Sequence, residues 1–260
     1  MVAYEKAAEA CERTDAQWHS AKHLELAAAL ARDLAKYKAV AQYSRQAALM
    51  YSEVGRLAAA AEALTKGGKY CEAGDTGIAA ELYTEAFDMY ADDDSGGGNA
   101  GSGGDAYRDC TAMMLTEKRY REAVEVLLKF GQACQRSKST NSQCKAYLAA
   151  IVVWLYADDV VEANTTFQDL MQVDAFLESE EGAAAENLLR AYSTGDADEV
   201  KKVVEKNMVY RHIDTAVARL SKKLPTGDVT AAAAKLNGGA VSNFADELEE
   251  KEDLDDDDLC

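Results

Sequence analysis

Apolar residues recur along most of the chain at three- and four-residue steps, the spacing that gathers them on one face of a helix. In "QAALMYSEVG" (46–55) Ala47 is followed by Met50 and Tyr51, and in "EAFDMYADDD" (85–94) the same trio returns as Ala86, Met89 and Tyr90. The lead-in to each pair repeats as well. Val40-Ala41-Gln42-Tyr43 returns as Ala79-Ala80-Glu81-Leu82, then as Ala123-Val124-Glu125-Val126, and more faintly from Ala163, giving intervals of 39, 44 and 40. The longest interval contains "DDDSGGGNAGSGG" (92–104), which reads as a loop insertion. A period near 40 is longer than the tetratricopeptide unit of about 34 residues and fits a pair of longer helices per unit. Each pair would bury its apolar face against its neighbours in a quasi-one-dimensional stack.

The pattern predicts helices near 17–35, 38–54, 56–72, 76–91, 105–117, 119–136, 140–156, 159–177, 182–193 and 197–223. Gly55, Gly74, Gly131 and Gly195 fall at or near the breaks, where caps and turns belong. Gly67-Gly68 lies within a helical pattern and suggests a local irregularity. Pro225 is the sole proline of the chain, and no run of alternating β-branched residues reads as a strand. The fold class is therefore all-α. The longest apolar run, 146–157, is a dozen residues and holds Tyr147, Trp154 and Tyr156, so it predicts a buried helix rather than a membrane span. Residues 1–224 read as one helical domain. The stretch 225–243 lacks periodicity and reads as a linker to an acidic tail, so that 225–260 forms a separate segment.

Charge changes this picture at the C-terminal end. The net charge is −18, and 245–260 alone carries ten acids and one lysine. Such a block repels itself and is expected to be disordered and to serve as an interaction tail; it argues against nucleic acid as a partner. Six cysteines form no CxxC pair and the N-terminal "MVAYEKAAEACER" is charged throughout, which suggests reduced thiols, no signal peptide and a cytoplasmic protein.

Motifs for chemistry are weak. Residues 96–101 match GxGxxG but neither follow a predicted strand nor open a βαβ unit, and no GK[ST] is present. Asp92-Asp93-Asp94 lacks EF-hand spacing. His19 and His23 share a helical face without further zinc ligands in sequence. The sequence calls for no catalytic residue, cofactor or metal, and the expectation is a non-enzyme. Most aromatics in the periodic stripes read as core. Basic residues concentrate at Lys118, Arg119 and Arg121, and again at Lys201, Lys202, Lys206, Arg211, Arg219, Lys222 and Lys223. One account is a solvated face with partners four residues away, such as Glu117–Arg121 or Asp198–Lys202. The other is a positive strip facing an acidic partner.

The order and spacing of several segments resemble the soluble NSF attachment proteins across nearly the whole chain. They are "YEKAAEA" (4–10), "WHSAKHLELAAALA" (18–31), "YSRQAALMYSEVGR" (43–56), "AAELYTEAF" (79–87), "STNSQCKAYLAAIVVWLYADD" (139–159), "LLRAYSTGDADEV" (188–200), "LSKKLP" (220–225) and the acidic end Asp-Leu-Cys. The resemblance implies a TPR-like superhelical solenoid of antiparallel helix hairpins, closed by a C-terminal helical bundle. It also implies an adaptor that binds SNARE complexes, including the syntaxin type, and recruits the hexameric AAA+ ATPase NSF for their disassembly in vesicle transport and membrane fusion. Such an adaptor sits on membranes peripherally, through SNAREs. The family's ATPase-contacting positions match Asp255, Asp256, Asp257, Asp258 and Leu259. Its SNARE-facing basic residues do not transfer one by one, so Lys118, Arg119 and Arg121 are the sequence's own candidates. Only seven residues separate "YEKAAEA" from "WHSAKHLE", so the first unit is expected to be shortened. The competing reading is a TPR-like peptide-docking scaffold or co-chaperone, although the repeated Lys and Asn that such a groove needs on its inner helices are not evident.

Overall fold

Short turns set the architecture. In the computed structural model, which describes residues 1–13, 16–92 and 100–238, α1 (Val2–Glu12) leads into α2 (Gln17–Asp33), α3 (Tyr37–Glu53), α4 (Leu57–Cys71) and α5 (Thr76–Asp92). There follow α6 (Ala100–Thr116), α7 (Tyr120–Arg136), α8 (Thr140–Tyr156) and α9 (Val160–Leu170). Helices α2, α3 and α4 start at Gln17, Tyr37 and Leu57, and α6 to α9 start with the same even spacing at Ala100, Tyr120, Thr140 and Val160. Two such modules make the period near 40. No strand occurs among the described residues, and the all-α reading holds.

One turn closes five of these modules. Ala35, Gly55, Lys118, Lys138 and Asp158 take left-handed backbone, with φ between 52° and 68°. Each turn residue donates its N–H to the carbonyl three positions back, and the next residue donates to the carbonyl five back: Ala35 to Arg32 and Lys36 to Ala31, or Asp158 to Leu155 and Asp159 to Trp154. Carbonyls orphaned at the helix end are thereby satisfied, and the chain reverses within three residues. Glycine takes this conformation without penalty, whereas a Cβ costs about 1 kcal/mol. Ala35→Gly is therefore expected to raise stability by about 1 kcal/mol, read as a higher urea midpoint at unchanged slope. An unchanged or lower midpoint would show that the turn is not strained.

The chain divides into two units: Met1–Arg119 with Gln132–Ser139, and Tyr120–Gly131 with the chain from Thr140 onward. In the first, consecutive helices from α1 to α6 pack as hairpins. Small residues line their seams: Ala27, Ala31, Ala47, Ala60, Ala61, Ala79 and Ala86 are all fully buried. Gly67 and Gly68 are not an irregularity. They lie inside an unbroken α4, and a Cβ on Gly67 would fall 2.3 Å from Ser44 Oγ on α3. Their role is to let helices approach closely. The glycine-rich stretch also differs from expectation. Residues 100–104 form the start of α6 rather than a loop, while 93–99 lie outside the described residues. The helix is held by Tyr107, whose ring stacks on Phe87 of α5 at 3.9 Å.

In the second unit α8 is the central helix, buried continuously from Ala146 to Leu155 as its apolar run predicts. Around it lie α9, α10 (Asp174–Leu177), α11 (Glu180–Thr194) and α14 (Thr215–Ser221), with α12 (Ala197–Lys206) and α13 (Val209–His212) beside α11. Three expectations are corrected here. The helix expected over 159–177 breaks after Leu170, which lets Phe176, fully buried, meet Tyr147 edge-on at 5.8 Å. The helix expected over 197–223 is three, because Asn207 Oδ1 accepts from Val209 N at 3.0 Å and Asp214 Oδ1 from Ala216 N at 2.8 Å, each starting a new helix. Finally, the stretch read as a linker carries a helix at 229–238, α15. Asp228 Oδ1 accepts from Thr230 N at 2.9 Å to begin it, and Val229, Ala232 and Ala233 bury its inner face. Thr226 Oγ1 anchors the approach to it at 3.1 and 2.9 Å from the carbonyls of Leu155 and Tyr156.

Candidate partner-binding surfaces

The stack brings residues one period apart into register. In the first unit Arg45 of α3 reaches Glu85 of α5 at 2.7 Å and Glu81 at 3.0 Å. Lys66 of α4 reaches Glu25 of α2 at 3.1 Å, and Lys69 of α4 reaches Asp109 of α6 at 2.9 Å. These pairs join helices two apart in the chain and lie on its outer surface. The most enclosed member is Glu25, which also pairs with Lys22 at 2.8 Å and accepts from the Tyr51 hydroxyl at 3.3 Å. Burial pushes the Glu25 carboxyl up, but hydrogen bonds and charge from Lys22 and Lys66 outweigh it and hold the group below its ordinary value. The same bond to Glu25 raises the Lys22 ammonium.

An apolar stripe crosses α2: Trp18, Leu26, Leu30 and Leu34 stand four or eight positions apart and are 46, 49, 38 and 55% exposed. Sequence reasoning missed it, because its residues satisfy the same helical spacing as the buried face. Lys22 fills the gap between Trp18 and Leu26 on this face, its ammonium 5.4 Å over the Trp18 ring.

The sequence-predicted cations divide. Lys118 is exposed at the turn before α7, in left-handed backbone, and half-buried Arg119 occupies the helix cap. These two belong to the first unit and Arg121 to the second. Arg121 pairs with Glu162 of α9 at 4.0 Å and lies 5.7 Å over the Trp154 ring. Trp154 in turn donates Nε1–H to Thr166 at 3.1 Å. The partner of Arg121 is thus a residue one period away rather than Glu117. On α12, Lys201 pairs with Asp198 at 3.5 Å, one turn away, where Lys202 was the expected partner.

The second basic concentration wraps a cleft. Because α12, α13 and α14 are separate, their cations converge: exposed Lys201, Arg211 and Lys222 rim a cavity of about 310 Å³, with Glu205 beside them. Its base is made by the buried residues Val204, Tyr210, Ser221 and Leu224. Tyr210 is fixed by donating its hydroxyl to the Ala184 carbonyl at 2.7 Å. The signal for this site in the sequence was the pair of capping residues, Asn207 and Asp214, inside what looked like one helix.

Groups suited to metal or nucleophilic chemistry do not converge among the described residues, where no three His, Cys, Asp or Glu side chains could hold an ion. His23 stacks on Tyr4 at 6.4 Å and His19 lies edge-on to Trp18 at 5.3 Å. Burial pushes the Cys71 and Cys134 thiols up to about 11, away from the reactive thiolate. No described helix is long and apolar enough to cross a membrane. Asp255, Asp256, Asp257, Asp258 and Leu259 lie outside the described residues.

A stack of helical hairpins presenting ionic and apolar faces is the architecture of a protein-interaction scaffold. Residues 2–214 match the family model for the soluble NSF attachment proteins, and the chain belongs to that family. It is 38% identical to the gamma-soluble NSF attachment protein of Arabidopsis thaliana over 99% of its own length and 82% of the relative's. It is 27% identical to the protein of the same name from Dictyostelium discoideum, over 81% of this chain and 63% of that one.

Proposed function

We propose that this chain is an adaptor that binds assembled SNARE bundles along its helical stack and recruits hexameric NSF through residues 255–259. The carrying observation is the family match, which spans every helix from α1 into the second unit's bundle. The relatives' name, NSF attachment protein, supplies the ATPase. On this reading the adaptor contributes no bond-breaking group; it converts ATP hydrolysis by its partner into force on the bundle. It reaches membranes peripherally, through the SNAREs, including the syntaxin type.

Lys118, Arg119 and Arg121 remain the sharpest candidates for the SNARE contact. An acidic helical bundle would be steered toward exposed cations, and such contacts weaken as salt screens them. The test uses an immobilised SNARE bundle with the chain, NSF and either ATP or a non-hydrolysable analogue. The expected result is a ternary complex retained with the analogue and released with ATP. Replacing Lys118, Arg119 and Arg121 together by Glu should lower bundle binding several-fold at low salt, with the difference shrinking as salt rises. The fold should persist, because α7 is held by buried Ala123, Val124 and Leu127. Parent-like binding by the triple variant at low salt would move the contact elsewhere. Failure to retain NSF and SNAREs at all would remove the adaptor reading.

A further inference from the structure

The Lys201–Arg211–Lys222 cleft has a composition that selects its ligand. Residues 197–223 hold seven lysines and arginines against four carboxylates, in a chain of net charge −18. Among the described residues, Lys201 is the only one of the three rim cations in an ion pair, an exposed one at 3.5 Å. The base is different in character: Val204, Leu224 and the Tyr210 ring are apolar and buried. A bare anion would leave that base unfilled, and an apolar ligand would leave the rim unpaired. The complementary ligand is an apolar side chain flanked on both sides by carboxylates.

The chain carries that sequence. In "EKEDLDDDDLC" (250–260) Leu254 stands between Asp253 and Asp255. We propose that the cleft is a docking seat for the chain's own acidic segment, with Leu254 on the apolar base and the neighbouring aspartates against Lys201, Arg211 and Lys222. The tether permits it. Helix α15 is described as far as 238, and Asn237 donates to the Ser193 carbonyl at 3.3 Å, at the end of α11 next to α12. The stretch from there to Leu254 spans up to roughly 50 Å, more than the width of a domain this size. A tether of that length gives an effective concentration on the order of 1 mM, so even a weak seat is substantially filled. Glu205 on the rim works against binding and keeps the seat weak, which suits a contact that must release.

Docking would shield the acidic segment until a stronger basic surface competes for it. It would hold whether or not NSF is that competitor, so its test does not use NSF. The experiment is nuclear magnetic resonance of the full chain labelled with ¹⁵N. At low salt the amides of 253–255 are expected to shift and broaden relative to the full-length variant carrying Lys201→Glu, Arg211→Glu and Lys222→Glu. Raising salt to about 0.5 M, where the Debye length falls to about 4 Å, should bring the parent to the variant's positions. Leu254→Ser should release the segment at low salt with all charges retained. Shifts that are independent of protein concentration support the intramolecular seat; shifts that vanish on about tenfold dilution assign the contact to a second copy and overturn it. Tripolyphosphate should displace the segment from the parent. If it perturbs the cleft amides while those of 253–255 match the triple variant throughout, the cleft is an anion site and the proposal fails. It fails equally if Leu254→Ser leaves the shifts intact.

Discussion

Deleting residues 245–260 is expected to abolish recruitment of NSF to a SNARE-bound chain, while the far-UV circular dichroism of the helices stays unchanged. The two halves of this result have separate causes. The described helices end at 238, and the last described side-chain bond from the C-terminal region is that of Asn237 to Ser193. No described packing therefore depends on the deleted residues. The deleted segment nevertheless holds ten of the chain's carboxylates and one lysine, enough to steer and hold a basic surface through many weak contacts. Binding of the parent should therefore fall steeply with salt. The deletion should lower NSF retention at least about tenfold at physiological ionic strength and leave SNARE binding within about twofold. Converting Asp255, Asp256, Asp257 and Asp258 to Asn should reproduce most of the loss, and Leu259→Ser part of it. NSF retention undiminished by the deletion would place the ATPase contact on the helical stack.

The modular fold was legible in the sequence because one physical rule generates both. A helix and a short turn, repeated at an even interval, place the same face inward each time, so apolar residues recur in the chain with the period of the packing. The turns themselves were only partly legible. Gly55 announces left-handed backbone, but Ala35, Lys118, Lys138 and Asp158 adopt it too. At those positions the two capping hydrogen bonds outweigh the cost of a Cβ. Gly67-Gly68 was misread for the converse reason. Glycine within a helix usually signals weakness, yet here it answers a neighbour, Ser44, that belongs to the preceding helix.

The surfaces were less legible because they depend on what stacks against what. That Arg121 meets Glu162 rather than Glu117 follows from the first turn of α9 coming within reach of the first turn of α7, which no local spacing states. The cleft in the second unit required 197–223 to break twice. The residues that break it, Asn207 and Asp214, are ordinary polar positions until their side chains are seen to accept from backbone N–H groups. The α2 stripe shows the reverse case. Leu26 and Leu30 look like core by period, and only the packing shows them half-exposed.

Tyr83→Ala is expected to produce the largest loss of stability among single truncations in the first unit, about 3–5 kcal/mol by analogy with other buried aromatics. Tyr83 is fully buried on α5, its ring against Gly68, where a Cβ would lie 3.1 Å away, and stacked on Phe87 at 6.4 Å. Gly68 has no side chain with which to refill the space, so the cavity should persist. The hydroxyl has a separate role, readable in Tyr83→Phe. It donates to Glu72, whose carboxyl burial pushes above its ordinary 4.5, with the Tyr83 bond pulling the other way. Removing the donor leaves burial less opposed and should raise the Glu72 pKa further. A carboxyl raised in the folded state binds its proton more tightly there than in the unfolded chain. It therefore costs stability above the unfolded pKa, and the cost disappears as pH falls through the folded value. Tyr83→Phe should thus cost about 1–2 kcal/mol at neutral pH and less on acidification. In a Glu72→Gln background the Tyr83→Phe penalty should no longer change with pH. Urea unfolding of the four chains at two pH values measures both effects. A Tyr83→Phe penalty that stays constant with pH while Glu72 is present would mean that the hydroxyl stabilises the fold through some other acceptor.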